Sequence, residues 1–156
     1  MELNLNDGDA RQFINTLLAV FSDISPALPE IGEILVSSIA TNFEVGGRHG
    51  GANEFGGSDA QGTWIPSKRA IRDSGQTLVD TARLSSSIVY EVSGNQILVG
   101  TNVEYAAIHQ FGGMTGRGHA VNIVARPYLV IQNEDLREID LAIANHYARR
   151  LQAALG

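Results

Sequence analysis

Apolar residues recur along this chain at two periods, one helical and one extended. Phe13, Ile14, Leu17, Leu18 and Phe21 fall on one face at helical spacing. Asp9 and Gln12 stand ahead of them as a capping box, the carboxylate accepting from early amides while the glutamine reaches back. A first helix is therefore expected from about Asp9 to Phe21. Ser25-Pro26 breaks it, and Pro29 suits the first turn of a second helix, where its missing N–H costs nothing and Glu30 and Glu33 oppose the positive dipole end. Ile31, Ile34, Leu35, Ile39 and Phe43 form the apolar stripe of that helix.

Beyond Gly46 the pattern stops. The stretch to Gly62 holds seven of the 17 glycines and has little apolar surface to bury, so a mobile loop is expected there. Trp64-Ile-Pro66 then supplies a large apolar anchor, followed by the basic residues Lys68, Arg69 and Arg72. Leu78 to Leu84 suits a short helix or turn. Ser87 to Val92 is rich in β-branched and aromatic residues, Ser93-Gly94-Asn95-Gln96 carries hairpin chemistry, and Ile97 to Gly100 reads as the return strand.

Asn102 is placed to cap a short helix through Tyr105 and Ile108 that Gly112-Gly113 must end. A glycine-rich loop to Gly118 leads into a strand at Val121 to Val124. Last, Leu136, Ile139, Ile143, Tyr147, Leu151 and Ala154 mark a long amphipathic helix, with Leu141, Ala144 and Leu155 flanking the stripe and Arg149 and Arg150 near its negative end. Strand, loop, strand without crossover helices predicts an α+β fold: an antiparallel β-sheet with two N-terminal helices, a short internal helix, a long C-terminal helix and glycine-rich mobile loops. One domain is expected over 1–156, divided into a helical segment 1–46, a glycine-rich loop 47–63, a β-rich body 64–131 and a C-terminal helix 132–156.

Composition narrows the chemistry. With 44% hydrophobic and 18% charged residues the 156-residue chain carries enough apolar material for an ordered core. The absence of cysteine removes disulfides, thiolate metal sites and thiol nucleophiles. The acidic N-terminus lacks the charge of a signal peptide, and no apolar run approaches the roughly 20 residues of a membrane span, so a soluble, unsecreted protein is expected.

His49, His109, His119 and His146 stand in no ligand spacing with one another or with a carboxylate. The 112–118 glycines lack a Gly-Lys-Ser/Thr ending, and Ser85-Ser86-Ser87 lacks a nucleophile elbow. No catalytic residue, metal site or cofactor is predicted. The distant alternative is a small histidine-dependent enzyme in which replacing His109 or His119 abolishes turnover and spares assembly.

The order of motifs from Trp64 to Pro127 resembles the virion-morphogenesis, or tail-completion, family of tailed bacteriophages. The residues that carry the resemblance are Trp64-Ile-Pro66, Thr77-Leu-Val-Asp-Thr81 with Leu84 and Ser87-Ile88, Val99-Gly-Thr101, Tyr105 to Gly113 with its His109-Gln110-Phe111-Gly112 element, and Ala125-Arg126-Pro127-Tyr128. With their flanks they cover well over half the chain. Ala82 departs from the pattern, where glycine is expected, which favours a helical reading over a tight turn at that point.

The resemblance implies a structural protein of the phage neck, acting as a tail-completion or tail-terminator subunit. Such subunits form rings, commonly hexamers, that contact other neck and tail proteins around a channel through which DNA passes. The protein would be found in the virion, at the top of the tail, after assembly in the host cytoplasm. A head-side connector or stopper is the alternative station. The assembly candidates are Trp64, Pro66, Tyr105, His109, Gln110, Phe111, Gly112, Gly113, Arg126 and Pro127. Phe111 is expected to pack inward, His109 and Gln110 to serve the carbonyls freed at the helix end, and Arg126 to aim its fork at carboxylate or carbonyl groups.

The formal charge of −6 sharpens this picture. Residues 1–46 hold seven acidic groups and one basic, so the N-terminal helices account for all of it. A surface of that sign does not grip phosphates. Glu30 and Glu33 are thus candidates either to face a channel that DNA slides through without specific binding or to meet a basic neighbour.

Overall fold

A computed structural model describes residues 7–48 and 63–155. Most of the expected glycine-rich loop, His49 and the Asp9 side chain of the expected capping box lie outside the described residues. The order of elements is α1 (Asp7–Phe21), α2 (Leu28–Val45), α3 (Lys68–Asp73), β1 (Val89–Ser93), β2 (Gln96–Gly100), α4 (Ala106–Phe111), β3 (Gly113–Thr115), β4 (Val121–Ile123) and α5 (Asn133–Leu155). The fold is α+β, with both N-terminal helices and the long C-terminal helix in place.

The second helix follows its sequence closely. Pro29 and Glu30 lie in the first turn of α2, and Gly46, at φ 76°, ends it by returning its N–H to the Asn42 carbonyl. Ile31, Ile39 and Phe43 are buried, with Ile34 and Leu35 partly so. Gly32 has a further role. A Cβ there would run into the Tyr90 ring, so glycine lets β1 lie directly on the helix.

The β1–β2 hairpin is as expected, antiparallel with Ser93 opposite Gln96. Gly94 takes φ 58° at the first of two turn positions, where a II′ turn needs glycine. Tyr90, Val92, Ile97 and Val99 turn toward the helices while Val89, Glu91 and Leu98 face out, the alternation of a half-buried strand pair.

The antiparallel structure is divided, however. Gly113–Thr115, expected as loop, pairs with Val121–Ile123 to make a second two-stranded sheet that does not join the first. Nor does Asn102 cap α4. Tyr105 occupies the N-cap without a side-chain bond, and the turn before it is organised by Thr101, whose Oγ1 accepts from the Val103 N–H at 3.1 Å and lies 2.6 Å from Ser87 Oγ.

Two apolar stripes bury less than their spacing implies. In α5 Ile139 and Ile143 pack, partly buried, against the cluster of Ala27, Leu28 and Ile31 as expected, but the fully buried positions are Asp135, Ala142 and His146 and Leu136 is half exposed. Polar partners hold two of these positions: Asp135 Oδ2 accepts from Ser38 Oγ of α2 and from the Gln132 N–H, the latter a capping contact, and His146 Nε2 meets the Asp23 carbonyl at 3.1 Å. Arg150 donates to the Asp23 and Ala19 carbonyls at 2.7 and 3.0 Å, so its charge serves the negative end of α1. Helix α1 itself buries Val20 and sets Phe21 against Tyr147, ring centroids 5.0 Å apart, but leaves Phe13, Ile14 and Leu18 in solvent. It rests on α5 along one edge only.

Between α3 and β1 the chain is irregular, and Ala82 has φ 56°. The turn stands where glycine was expected, with alanine in it, so the helical reading fails. Its carbonyl draws the Ser86 N–H and the hydroxyls of Ser85 and Ser86 at 2.9, 3.1 and 2.7 Å, which fixes the left-handed geometry despite the Cβ. A left-handed L-residue costs about 1–2 kcal/mol, part of which glycine loses again to unfolded-state entropy. Ala82→Gly should therefore stabilise by about 0.5–1 kcal/mol and raise the melting temperature by about 2 °C. A lowered midpoint in a thermal melt would contradict the strain.

Candidate functional site

Trp64, His109, Gln110 and Gly112 of the motif converge on one extended segment, Ala125 to Leu129, which holds Arg126 and Pro127. Its own backbone groups are held by side chains from three other parts of the chain. Trp64, 2% exposed, donates its indole N–H to the Pro127 carbonyl at 2.9 Å and stands edge-on to Phe43 at 5.7 Å between ring centroids. Gln110 Oε1 accepts from the Tyr128 and Leu129 amides, both at 3.0 Å, and its Nε2 donates to the Leu129 carbonyl at 3.3 Å. Asn42 Nδ2 donates to the Tyr128 carbonyl at 3.0 Å.

The segment repays these contacts. Tyr128 is buried against Phe43 and reaches the Ala106 carbonyl with its hydroxyl. Arg126 sends Nε to the Ile65 carbonyl at 2.8 Å and Nη1 to that of Val124 at 3.2 Å, while its amide donates to the His109 carbonyl at 2.7 Å. Its fork meets carbonyls, one of the two partner types expected. Burial lowers its basicity, though a guanidinium stays charged.

Helix α4 points Ala106 and Gln110 inward, four residues apart and so on one face. Phe111 lies a further 100° round the helix and is 63% exposed, against the inward packing expected of it. Gln110 also departs from expectation, because it serves residues 128 and 129 rather than the carbonyls at its own helix end. The Ile108 carbonyl is met by the N–H of Gly112, whose φ of 71° and ψ of −176° suit glycine alone, and the His109 carbonyl by the Arg126 amide. A Cβ on Gly112 would lie 2.8 Å from the Ala125 nitrogen. Gly113, at φ 137°, opens β3, and Pro66 is exposed beside the chain.

His109 stands edge-on to Tyr105 at 5.7 Å, and its buried Nδ1 has no hydrogen-bond partner among the described residues. Desolvation, and then the charge of Arg126, pushes its pKa down, so the ring is neutral at pH 7. Tyr105 and His109 border a cleft of about 450 Å³ with Arg69, Asp80, Arg83 and Arg126. The cations are largely committed: Arg69 lies 3.2 Å from Asp80 and donates to the Gln76 and Val79 carbonyls, and Arg83 sits over the Tyr105 ring at 5.9 Å. Arg72 is engaged by its neighbour Asp73. Among the described residues no group of three or more His, Asp or Glu is placed to hold a metal ion.

Glu30 and Glu33 lie apart from this cluster, exposed on α2, with Glu30 Oε2 at 3.7 Å from Arg149. An exposed pair of that length contributes little to stability. Sequence reasoning passed over Asn42. Asn42 is fully buried and Arg48 donates from Nε to its Oδ1 and from Nη2 to the Ser38 carbonyl. A polar residue between Ile39 and Phe43 on an apolar stripe was the available signal.

Trp64, Gln110, Gly112, Arg126 and Pro127 of the motif thus build, with Asn42, a joint between α2, α4, the Trp64 segment and the 125–129 segment. The chain matches the model of the phage virion morphogenesis family over residues 5–148. The chain belongs to that family. It is 37% identical over 140 residues to the Mu-like prophage FluMu G protein 2 of Haemophilus influenzae, an alignment covering 89% of this chain and 90% of the relative. No solved structure matches it. Membership in the phage virion morphogenesis family gives the protein a structural role in phage assembly. No helix among the described residues is long and apolar enough to cross a membrane.

Proposed function

We propose that the protein is a ring-forming tail-completion, or tail-terminator, subunit at the head–tail junction of the virion. The observation that carries this reading is the surface left over once the family motif has been used for packing: α1 leaves Phe13, Ile14 and Leu18 exposed, an apolar stripe without a partner among the described residues. Burial of that stripe against neighbouring subunits would drive association. The acidic N-terminal segment, −6 over residues 1–46, lets DNA pass the assembly without being held.

Deleting the gene from its phage and imaging the particles tests the station. Sound, filled heads with tails of abnormal length are the expected result. Leaking or defective heads would instead make the protein a head-side connector or stopper. Native mass spectrometry of the purified chain should give a concentration-dependent multiple of 16.7 kDa, with six copies expected.

A further inference from the structure

The cleft of about 450 Å³ beside the motif cluster holds more positive charge than the subunit neutralises. Arg69, Arg83 and Arg126 line it against one carboxylate, Asp80, which Arg69 already engages at 3.2 Å. Neither Arg83 nor Arg126 has a carboxylate within ion-pair distance among the described residues.

For Arg126 this is costly. It is only 7% exposed, and a buried cation without a counter-charge destabilises unless something compensates it. Its Nε and Nη1 are spent on the Ile65 and Val124 carbonyls. Nη2 makes no hydrogen bond among the described residues, yet it is not sealed in the interior as His109 Nδ1 is, so it opens to the cleft that the side chain lines. The charge is felt at His109, whose pKa is lowered by burial and then by Arg126. Arg83 adds exposed donors, because its contact with the Tyr105 ring, 5.9 Å to the centroid, uses none of its N–H groups.

The rest of the lining selects among anions. Leu78, Ala82, Leu84 and the Tyr105 ring give the cleft apolar walls suited to methylene groups. Asp80, 69% exposed, repels a ligand that carries charge along its length. A DNA strand, with a charge on every phosphate, needs an extended basic surface, whereas only Arg83 and Arg126 have charge to spare here, in a chain of net charge −6. We infer that the cleft takes the carboxylate of an Asp or Glu side chain presented by an adjoining protein of the particle, held by the free N–H groups of Arg126 and Arg83. The site goes beyond the ring reading and does not depend on it.

Methyl NMR of the full-length chain, labelled at alanine and leucine, tests it, because Ala82 and Leu84 report from the cleft wall in monomer and ring alike. The probes are acetyl-Gly-Ala-Glu-Ala-Gly-amide, its Gln counterpart and inorganic phosphate, at constant ionic strength. The Glu peptide should shift the Ala82 and Leu84 methyls to saturation, and the Gln peptide should leave them in place. This comparison is made on the wild type and needs no variant to fold. Arg83→Gln, at an exposed position, should keep its circular dichroism melt and bind the Glu peptide about tenfold more weakly, the loss expected for one charge-assisted hydrogen bond. Arg126 is left in place because it also holds the Ile65 and Val124 carbonyls. In the phage, Arg83→Glu should leave the subunit soluble and lower the yield of complete particles by about tenfold or more.

Equal shifts with both peptides, or none with either, would overturn the site, as would an Arg83→Gln chain that binds the Glu peptide as tightly as the wild type. Phosphate bound more tightly than the Glu peptide would overturn the carboxylate assignment. Peptide binding together with a normal yield of Arg83→Glu particles would overturn the protein source and leave a free carboxylate as the ligand. A chain that is monomeric throughout but discriminates the two peptides would overturn the ring reading and support this site.

Discussion

Replacing Gly112 with alanine should cost about 3–5 kcal/mol and lower the melting temperature by about 10 °C. Two independent effects add. The backbone at φ 71° and ψ −176° lies in a region that L-residues avoid, at a cost of about 1–3 kcal/mol. The new methyl would also stand 2.8 Å from the Ala125 nitrogen and 2.9 Å from the Ile123 carbonyl oxygen, and both are backbone atoms that cannot swing aside. Relief requires α4 to move from the 123–126 segment, which stretches the bond from the Arg126 amide to the His109 carbonyl.

Gly118 provides the control. It too has positive φ, 68°, but a Cβ there meets nothing within 4 Å. Gly118→Ala should lose only the conformational share, about 1 kcal/mol. Equal losses at the two sites in parallel thermal melts would show that the close approach of α4 to the 125–129 segment is not what Gly112 serves.

The same residue shows what was legible in the sequence. Gly112-Gly113 was readable as a helix stop, because glycine after an apolar turn is a local signal. The close approach to Ala125 was not, since it depends on a segment that comes later in the chain. This division runs through the molecule. The β1–β2 hairpin and α2 were recoverable because their pairing, turn and capping partners are neighbours in sequence. Strand β3 is not legible because of Gly113-Met114-Thr115 only the threonine favours a strand, amid four glycines, and the segment is paired by Val121 to Ile123.

The buried face of α5 reaches beyond its apolar stripe for a related reason. Asp135 and His146 are polar, so spacing arguments place them outside, yet each is buried on a partner more than ninety residues away, Ser38 and Asp23. On α1 the apolar spacing was right and the inference from it incomplete, because a helix lying on one neighbour buries only one edge of its stripe. The motif cluster was visible by resemblance alone. Nothing in the spacing of Trp64, Gln110 and Arg126 states that all three fasten to residues 124–129 and 65; that follows from the fold.

Trp64→Ala should be the other severe substitution, with a loss of about 3–5 kcal/mol out of a total that for a domain of this size is about 5–15 kcal/mol. The indole is buried, fills the space beside Phe43, and satisfies the Pro127 carbonyl, which lies in a fully buried residue. Truncation leaves a cavity and removes that donor together. Trp64→Phe separates the two effects. It keeps most of the apolar contact and loses the N–H, so its cost should be about 1–3 kcal/mol, the penalty for an orphaned buried carbonyl and a smaller ring.

Urea unfolding followed by circular dichroism should thus rank wild type above Trp64→Phe and Trp64→Ala lowest, with unchanged slope. In the wild type the only tryptophan gives a second readout, because its emission should shift to the red in the same transition. A Trp64→Phe variant as stable as the wild type would mean that the indole N–H to Pro127 contributes nothing. The joint would then be held by packing against Phe43 and Tyr128 alone.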